Sequence, residues 1–265
     1  MKFSVTSYAV FRSITLDALI PRLGELGYDG VEVWGKDLED ASDERVREIR
    51  AAADAQHLTV CATSPYFDFV PGGERWRKGV EACRTVVRQA RLLGTPIIRY
   101  REVDYIPSAK MDAAQWSACI DGLKALCGLA SPDLIVGIEC HENLPQDTVE
   151  NILMMIDRVG MPNLKVIFQP SSYIGRDLGP ILDALYPHTA HIHLSNRPRS
   201  GGQMPDGKPL RAYLGDADGV IDYDAFLSDL KGRGFDGFLT IEGIKQPEYE
   251  SLAVEIEYLR KAAGR

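Results

Sequence analysis

Short apolar runs alternate along this chain with amphipathic stretches of helical length, and four runs in its second half carry a side chain that can bind a metal. They read LIVGIE, ending at Glu139; LKVIFQ, ending at Gln169; TAHIHL, carrying His193; and FLTIE, ending at Glu242. Such alternation predicts βα repeats and a parallel sheet. In a parallel β/α barrel the strand C-termini converge on one mouth, so residues far apart in sequence can surround one ion. Two carboxylates, one imidazole and one amide oxygen make a hard-to-borderline donor set for a divalent metal.

The alternation holds from end to end. Strands are expected at 2–7, 30–34, 58–63, 96–100, 134–139, 164–168, 189–194 and 238–242. The helices between them are expected at about 15–26, from an N-cap at Asp43 to Gln56, across the Trp76, Val80, Cys83, Val87 and Ala90 stripe, and at 111–130, 147–159 and 177–185. A seventh starts at a cap on Asp222, and the last covers 248–262. Gly27 stands where a C-cap glycine belongs. Eight strands and eight helices without a low-complexity linker predict one domain over 1–265, an α/β fold with a single closed (β/α)8 TIM barrel. At 265 residues the length agrees with the roughly 250 of such barrels. An open doubly wound sheet is the competing arrangement, but its Gly-rich fingerprint after strand one is missing, since SYAVFRS contains no glycine.

Composition narrows the partners. A net charge of -8 argues against general affinity for nucleic-acid backbones, which needs clustered basic surface. The basic residues around the Trp76–Ala90 stripe (Arg75, Arg77, Lys78, Arg84, Arg88) are read as a solvated outer face. Five scattered cysteines without a CxxC pair read as reduced, mostly buried thiols. The start MKFSVTSYAVFR has no apolar core long enough for a signal peptide, and no run approaches the ~20 apolar residues of a membrane span. A cytoplasmic protein without membrane attachment is the expectation.

A carboxylate ending a strongly apolar strand is costly to bury unless it is paired, hydrogen-bonded or metal-bound. Pairing with an arginine is the plain alternative for Glu139 and Glu242, and Arg99 and Arg101 flank the end of strand four, where one can meet Glu139. His191 and His193 share one strand face, because side chains alternate. The outer, His193, is expected at the mouth, and His191 a layer deeper as hydrogen-bonded support. Gln169 offers an amide oxygen but no charge, which weakens any site it joins.

These residues carry a resemblance that spans nearly the whole chain. GYDGVEVW on strand two, GIECHEN on strand five, HIHLSN on strand seven, GDADGVIDY before helix seven and TIEG on strand eight resemble the xylose isomerase-like barrels, a superfamily of sugar isomerases, epimerases and keto-sugar lyases. The resemblance implies one divalent ion held by a Glu, an Asp, a His and a Glu, which fall here on Glu139, Gln169, His193 and Glu242. Mn2+ is the ion expected first, with Mg2+, Co2+ or Zn2+ as alternatives. Gln169 departs from the family's Asp. By the same resemblance Glu139 and Glu242 are also the acid/base pair, moving a proton next to a metal-chelated carbonyl through an enediolate. A leaving group β to the deprotonated carbon would turn the same site into a lyase or dehydratase. A degenerate, non-catalytic sugar-binding barrel is the third reading.

Other mouth residues are candidates for a sugar. His141 and Asn143 can hydrogen-bond hydroxyls, Arg199 lies where some ketose epimerases have a substrate-binding arginine, and Arg197 is its rival. Trp34, on the same face of strand two as Glu32, is a candidate apolar wall. The 195–221 loop is long enough to be a lid. Its Arg197, Arg199, Lys208 and Arg211 can greet a phosphate or carboxylate, but no glycine-rich phosphate cradle follows strand eight, so a non-phosphorylated sugar is expected. Relatives are often oligomeric, which leaves a homo-oligomer open. An apurinic-site endonuclease of the same superfamily would need extra histidines, and none of the five lies at the end of strands three or four. A metal-free retaining glycosidase would leave His193 and Gln169 without a role.

Overall fold

The computed structural model describes residues 1–10, 13–204, 207 and 209–264. Eight parallel strands, β1 (Lys2–Thr6), β2 (Gly30–Trp34), β3 (Thr59–Ser64), β4 (Ile97–Tyr100), β5 (Ile135–Glu139), β6 (Leu164–Phe168), β7 (Thr189–Ser195) and β8 (Phe238–Gly243), pair in sequence order, and β8 closes on β1. The closing register sets Lys2 beside Phe238 and Val5 beside Ile241. The chain is thus a single (β/α)8 TIM barrel, as the alternation predicts. No helix among the described residues is long and apolar enough to cross a membrane.

Eight helices cover the outside: α1 (Leu16–Leu26), α2 (Asp43–Ala55), α3 (Gly73–Leu93), α4 (Ala113–Ala130), α5 (Val149–Val159), α6 (Leu178–Leu185), α7 (Tyr223–Gly232) and α8 (Tyr249–Ala263). Local chemistry fixes their ends. Thr15, Asp112, Thr148, Asp177 and Asp222 each accept a backbone N–H of the first turn, and Gly27 takes the left-handed φ of 73° that ends α1. One cap differs from expectation. Ser42, not Asp43, caps α2 through the N–H of Arg45, which frees Asp43 to pair with Arg88 of α3 at 2.6 Å. The outer face of α3 is held the same way, with Arg75 on Asp68 and Asp104, and Arg91 on Asp133. Those arginines are tied to acids, as a solvated outer face requires. All five cysteines are free and buried.

Most of the core lies between strands and helices, where Leu19, Leu23, Ile49, Leu123, Leu182 and Leu230 are fully or almost fully buried. The barrel interior is different. Ala62, Ile97 and Ile167 form a small apolar patch, and much of the remaining lumen is polar: Ser4, Glu32, Arg99, His191, His193 and Thr240 are buried there. A lumen that spends buried space on charge must pair every group, and that network shapes the mouth.

The long loop after β7 is not a featureless lid. Asn196 bridges Ala212, Pro198 bridges Gly219 and Gln203 bridges Pro209, all antiparallel. The fully buried Asn196 side chain donates to the carbonyls of Leu214 and Ile221 and accepts from the N–H groups of Arg197 and Ile221. Buried Glu255 of α8 accepts the N–H of Leu214. The loop is folded back and pinned. Lys208, named above among its cations, lies outside the described residues.

Candidate active site at the barrel mouth

Strand alternation places the inward side chains of β2, β5, β7 and β8 around one point. His193 sits at its centre, with Nδ1 2.8 Å from Glu139 Oε1 and Nε2 2.9 Å from Glu32 Oε2. One layer below, His191 Nε2 lies 3.1 Å from the same Glu32 oxygen and 2.7 Å from Thr240 Oγ1. His191 is therefore the deeper support expected from the sequence. Ser64 donates its hydroxyl to the other Glu32 oxygen. Glu32 is the residue that sequence reading passed over, and its signal was available: a carboxylate between two valines in GVEVW has no solvent to face.

The charges answer one another. Burial works against an imidazolium at His193, but Glu32 and Glu139 outweigh it and push His193 up to about 10. Both ring nitrogens face carboxylate oxygens, the arrangement a doubly protonated ring satisfies. Burial tends to raise Glu32, yet His193 and His191 hold it well below the usual carboxylate range. Glu139 is likewise opposed by burial and held low by Arg99, His193 and Arg101. His191 is lowered by burial and stays neutral.

Both strand-four arginines meet Glu139. Arg99 Nη1 lies 3.2 Å from Glu139 Oε1 and 4.0 Å from Glu242 Oε1, so one guanidinium spans the two carboxylates. Arg101 Nε lies 3.4 Å from Glu139 Oε2. Its guanidinium carbon lies 5.3 Å from the ring centre of Tyr66 and 5.0 Å from that of Tyr105, and the group donates to the Tyr105 hydroxyl and reaches His141 Nε2 at 3.2 Å. The other ring nitrogen of His141 donates to the Glu142 carbonyl.

Above this network opens a cavity of about 220 Å³, small beside the roughly 300–1,000 Å³ of drug-sized pockets and suited to a single sugar ring. Glu242, Gln169, His141, Asn143, Arg101 and Arg197 are among the residues lining it, whereas Glu139 and His193 are sealed beneath. Asn143 combines a left-handed φ of 62° with a place on the cavity wall. Two candidates are placed elsewhere. Arg199 lines a separate depression with Asp216 and Tyr258, because its backbone N–H is tied to the Asp218 carbonyl, so Arg197 takes the mouth position. Trp34 stands behind the wall: its indole N–H donates to the Tyr66 hydroxyl and its ring meets Tyr8 edge-on at 5.2 Å, while Tyr8 and Tyr66 face the cavity.

The donor set fits a divalent ion. Ligand atoms of Glu139, His193 and Glu242 lie within 4.8 Å of one another, and Glu32 on the far nitrogen of His193 orients the ring as outer carboxylates do in metal sites. Gln169 donates its amide to Glu242 Oε2 at 3.0 Å and to Ser171, while its carbonyl oxygen is buried without a partner. A buried oxygen without a partner is what a fourth donor at this position would offer. Arg99 is the feature the strand-end pattern did not resolve: a guanidinium already balances the two carboxylates, so this site competes for its cation. A second group of donors, Glu32, His191 and His193, lies fully buried in the lumen and is joined by its own hydrogen bonds, with His191 Nδ1 left without a partner.

Solved structures share this architecture. A probable 3-DHS dehydratase from Bacillus anthracis superposes with a TM-score of 0.79 at 21% identity, covering 98% of each chain. The 3-keto-D-glucoside 4-epimerase of E. coli gives 0.76 at 17% identity over 98% of this chain and 99% of that one. A D-psicose 3-epimerase from Clostridium cellulolyticum gives 0.77 at 13% identity over 99% of each. At such identities the likeness shows the fold. No curated protein matches the chain in sequence. The model of the xylose isomerase-like TIM barrel matches residues 20–262, and the chain belongs to that family.

Proposed function

We propose that the protein is an epimerase or isomerase of a small sugar or keto-sugar, transferring a proton at the carbon next to a carbonyl. The observation that carries this is Glu242: a carboxylate on the wall of a cavity of sugar size, with Gln169 donating to one of its oxygens and Arg99 standing 4.0 Å from the other, the one placed to act as base. A divalent ion held by Glu139, Gln169, His193 and Glu242 would supply Lewis acidity to the substrate carbonyl when bound. The chain's own groups do the rest. Arg101, buried and in contact with the rings of two tyrosines, presents N–H groups towards negative charge developing on the substrate oxygen. Tyr8, Tyr66 and Tyr105 give the cavity an aromatic side for the C–H face of a sugar, and Asn143, Ser171 and Ser172 give it hydroxyl partners.

Elimination is the second reading, and one observation favours it. Glu139, the expected partner base, is sealed under Arg99 and Arg101, so one carboxylate of the pair faces the substrate. A single base suits β-elimination, or proton return to the same face, better than inversion of a centre.

Proton exchange separates these readings. D-Fructose and other ketoses are incubated in D2O with the Mn2+-supplemented protein and followed by NMR. Deuterium appearing next to the carbonyl, with a new epimer or aldose, supports the first reading, and an unsaturated product supports the second. Glu242→Gln, kept folded by its neutral amide, should lower either rate by about 10²–10⁴-fold. Full exchange in that variant would remove Glu242 from the chemistry.

A further inference from the structure

The mouth carries two arginines whose placement the proton-transfer chemistry does not explain. Arg197 and Arg211 each adjoin one partner of the antiparallel Asn196–Ala212 bridge, which brings their segments together. Both line the cavity that holds Glu242. Like charges brought to one small cavity repel. Their compensation is thin. Arg197 reaches Glu142 Oε1 at 3.3 Å, on a half-exposed carboxylate, and its own Nε is buried without a partner. Arg211 has no hydrogen bond or ion pair among the described residues, and it is half-buried.

The seat of Arg211 is nonetheless built. Its guanidinium lies against the backbone of Gly243, immediately after Glu242, so closely that a Cβ there would stand 2.9 Å from its Cζ and Nε. The segment that presents both arginines is pinned by Asn196 and Glu255 rather than left free. Two guanidiniums on the wall of one small cavity, Arg211 without a partner among the described residues, offer charge-assisted donors to an anion.

We infer that the substrate is an acid: a sugar acid or keto acid whose carboxylate is held by Arg197 and Arg211 while its carbonyl end faces Glu242. Carboxylate is preferred to phosphate because the cavity is small and no glycine-rich cradle follows β8, where EGIKQPE stands. The inference rests on reading the mouth as a sugar-binding site, but its test needs no turnover.

Equilibrium binding by calorimetry would compare 2-keto-D-gluconate and D-fructuronate with neutral D-fructose and with D-fructose 6-phosphate. All titrations are run in EDTA, so that chelation contributes nothing. At least one acid should bind about 10- to 100-fold more tightly than D-fructose, the contribution of a charge-assisted pair. Arg211→Met should abolish most of that preference while leaving the unfolding temperature unchanged, and Arg211→Lys should restore part of it. The inference is overturned if neither acid exceeds D-fructose, binding of none included, or if the preference survives in Arg211→Met. Tighter binding of the phosphate than of either acid overturns the choice of carboxylate. An absent acid preference leaves proton exchange by Glu242 standing, and an absent exchange leaves an Arg211-dependent acid preference standing.

Discussion

Replacing Glu32 by glutamine removes a negative charge from the centre of the barrel and almost nothing else. The amide oxygen can still accept from His191 or His193, and its NH2 can face Ser64, whose hydroxyl turns to accept. What is lost is the anion that keeps His193 protonated. With His193 pushed up to about 10, the proton on the ring contributes about 4 kcal/mol to the native state at pH 7. Glu139 remains as the second partner, so we expect Glu32→Gln to forfeit about 2–4 kcal/mol, near the cost of breaking a buried pair. For a domain of this size that is a drop in melting temperature of roughly 5–15 °C.

The pH dependence is the sharper test. His193 is raised, so its contribution is complete below its unfolded value of about 6.5 and is lost as pH rises through about 10. Glu32 is lowered, so its contribution is present above its unfolded value and is lost as pH falls. The gap between wild type and variant should therefore be widest around pH 5–6.5 and should close towards pH 10. Thermal unfolding of EDTA-treated protein across that range, followed by circular dichroism, measures it. A gap under about 1 kcal/mol, or one that widens with alkalinity, would refute the triad as an ionic unit.

Two further predictions concern the metal and the loop. Gln169→Asp restores a third ligand charge beside Arg99, and should tighten Mn2+ binding by about 10- to 100-fold in a paramagnetic-resonance titration; unchanged affinity would show that Gln169 is no ligand. Burial pushes Glu255 up to about 8, so its contribution to stability is complete below about 4.5 and is lost as pH rises through 8. Glu255→Gln keeps an acceptor for the Leu214 N–H and should unfold at higher temperature than wild type at pH 9, a difference that vanishes near pH 4.5.

How far the chain could be read before its structure depended on the range of the interactions involved. Strands β2 and β6 fall on their expected bounds, and the cap at Asp222 and the stop at Gly27 hold, because these features are written in a few adjacent residues. Ser42 displaced Asp43 as the cap of α2 for an equally local reason: either side chain can accept from the first turn, and the backbone of Ser42 is the extended one. The pairing of His191 with a deeper layer than His193 also followed from alternation alone.

The mouth was less legible. Arg197 rather than Arg199 reaches it because a bridge to Gly219 and a hydrogen bond to Asp218 turn the chain between them. Trp34 stands behind the cavity because Tyr8 and Tyr66, from two other segments, stand in front. The barrel is written in a hydrophobic period that switches between strand and helix, and in strand-end residues that closure must bring together. Which charges neutralise which is set by long-range packing. Arg99 between Glu139 and Glu242, Glu32 under His193, and Arg197 on Glu142 are contacts across the barrel and its loops, set by packing and by the need to pair buried charge.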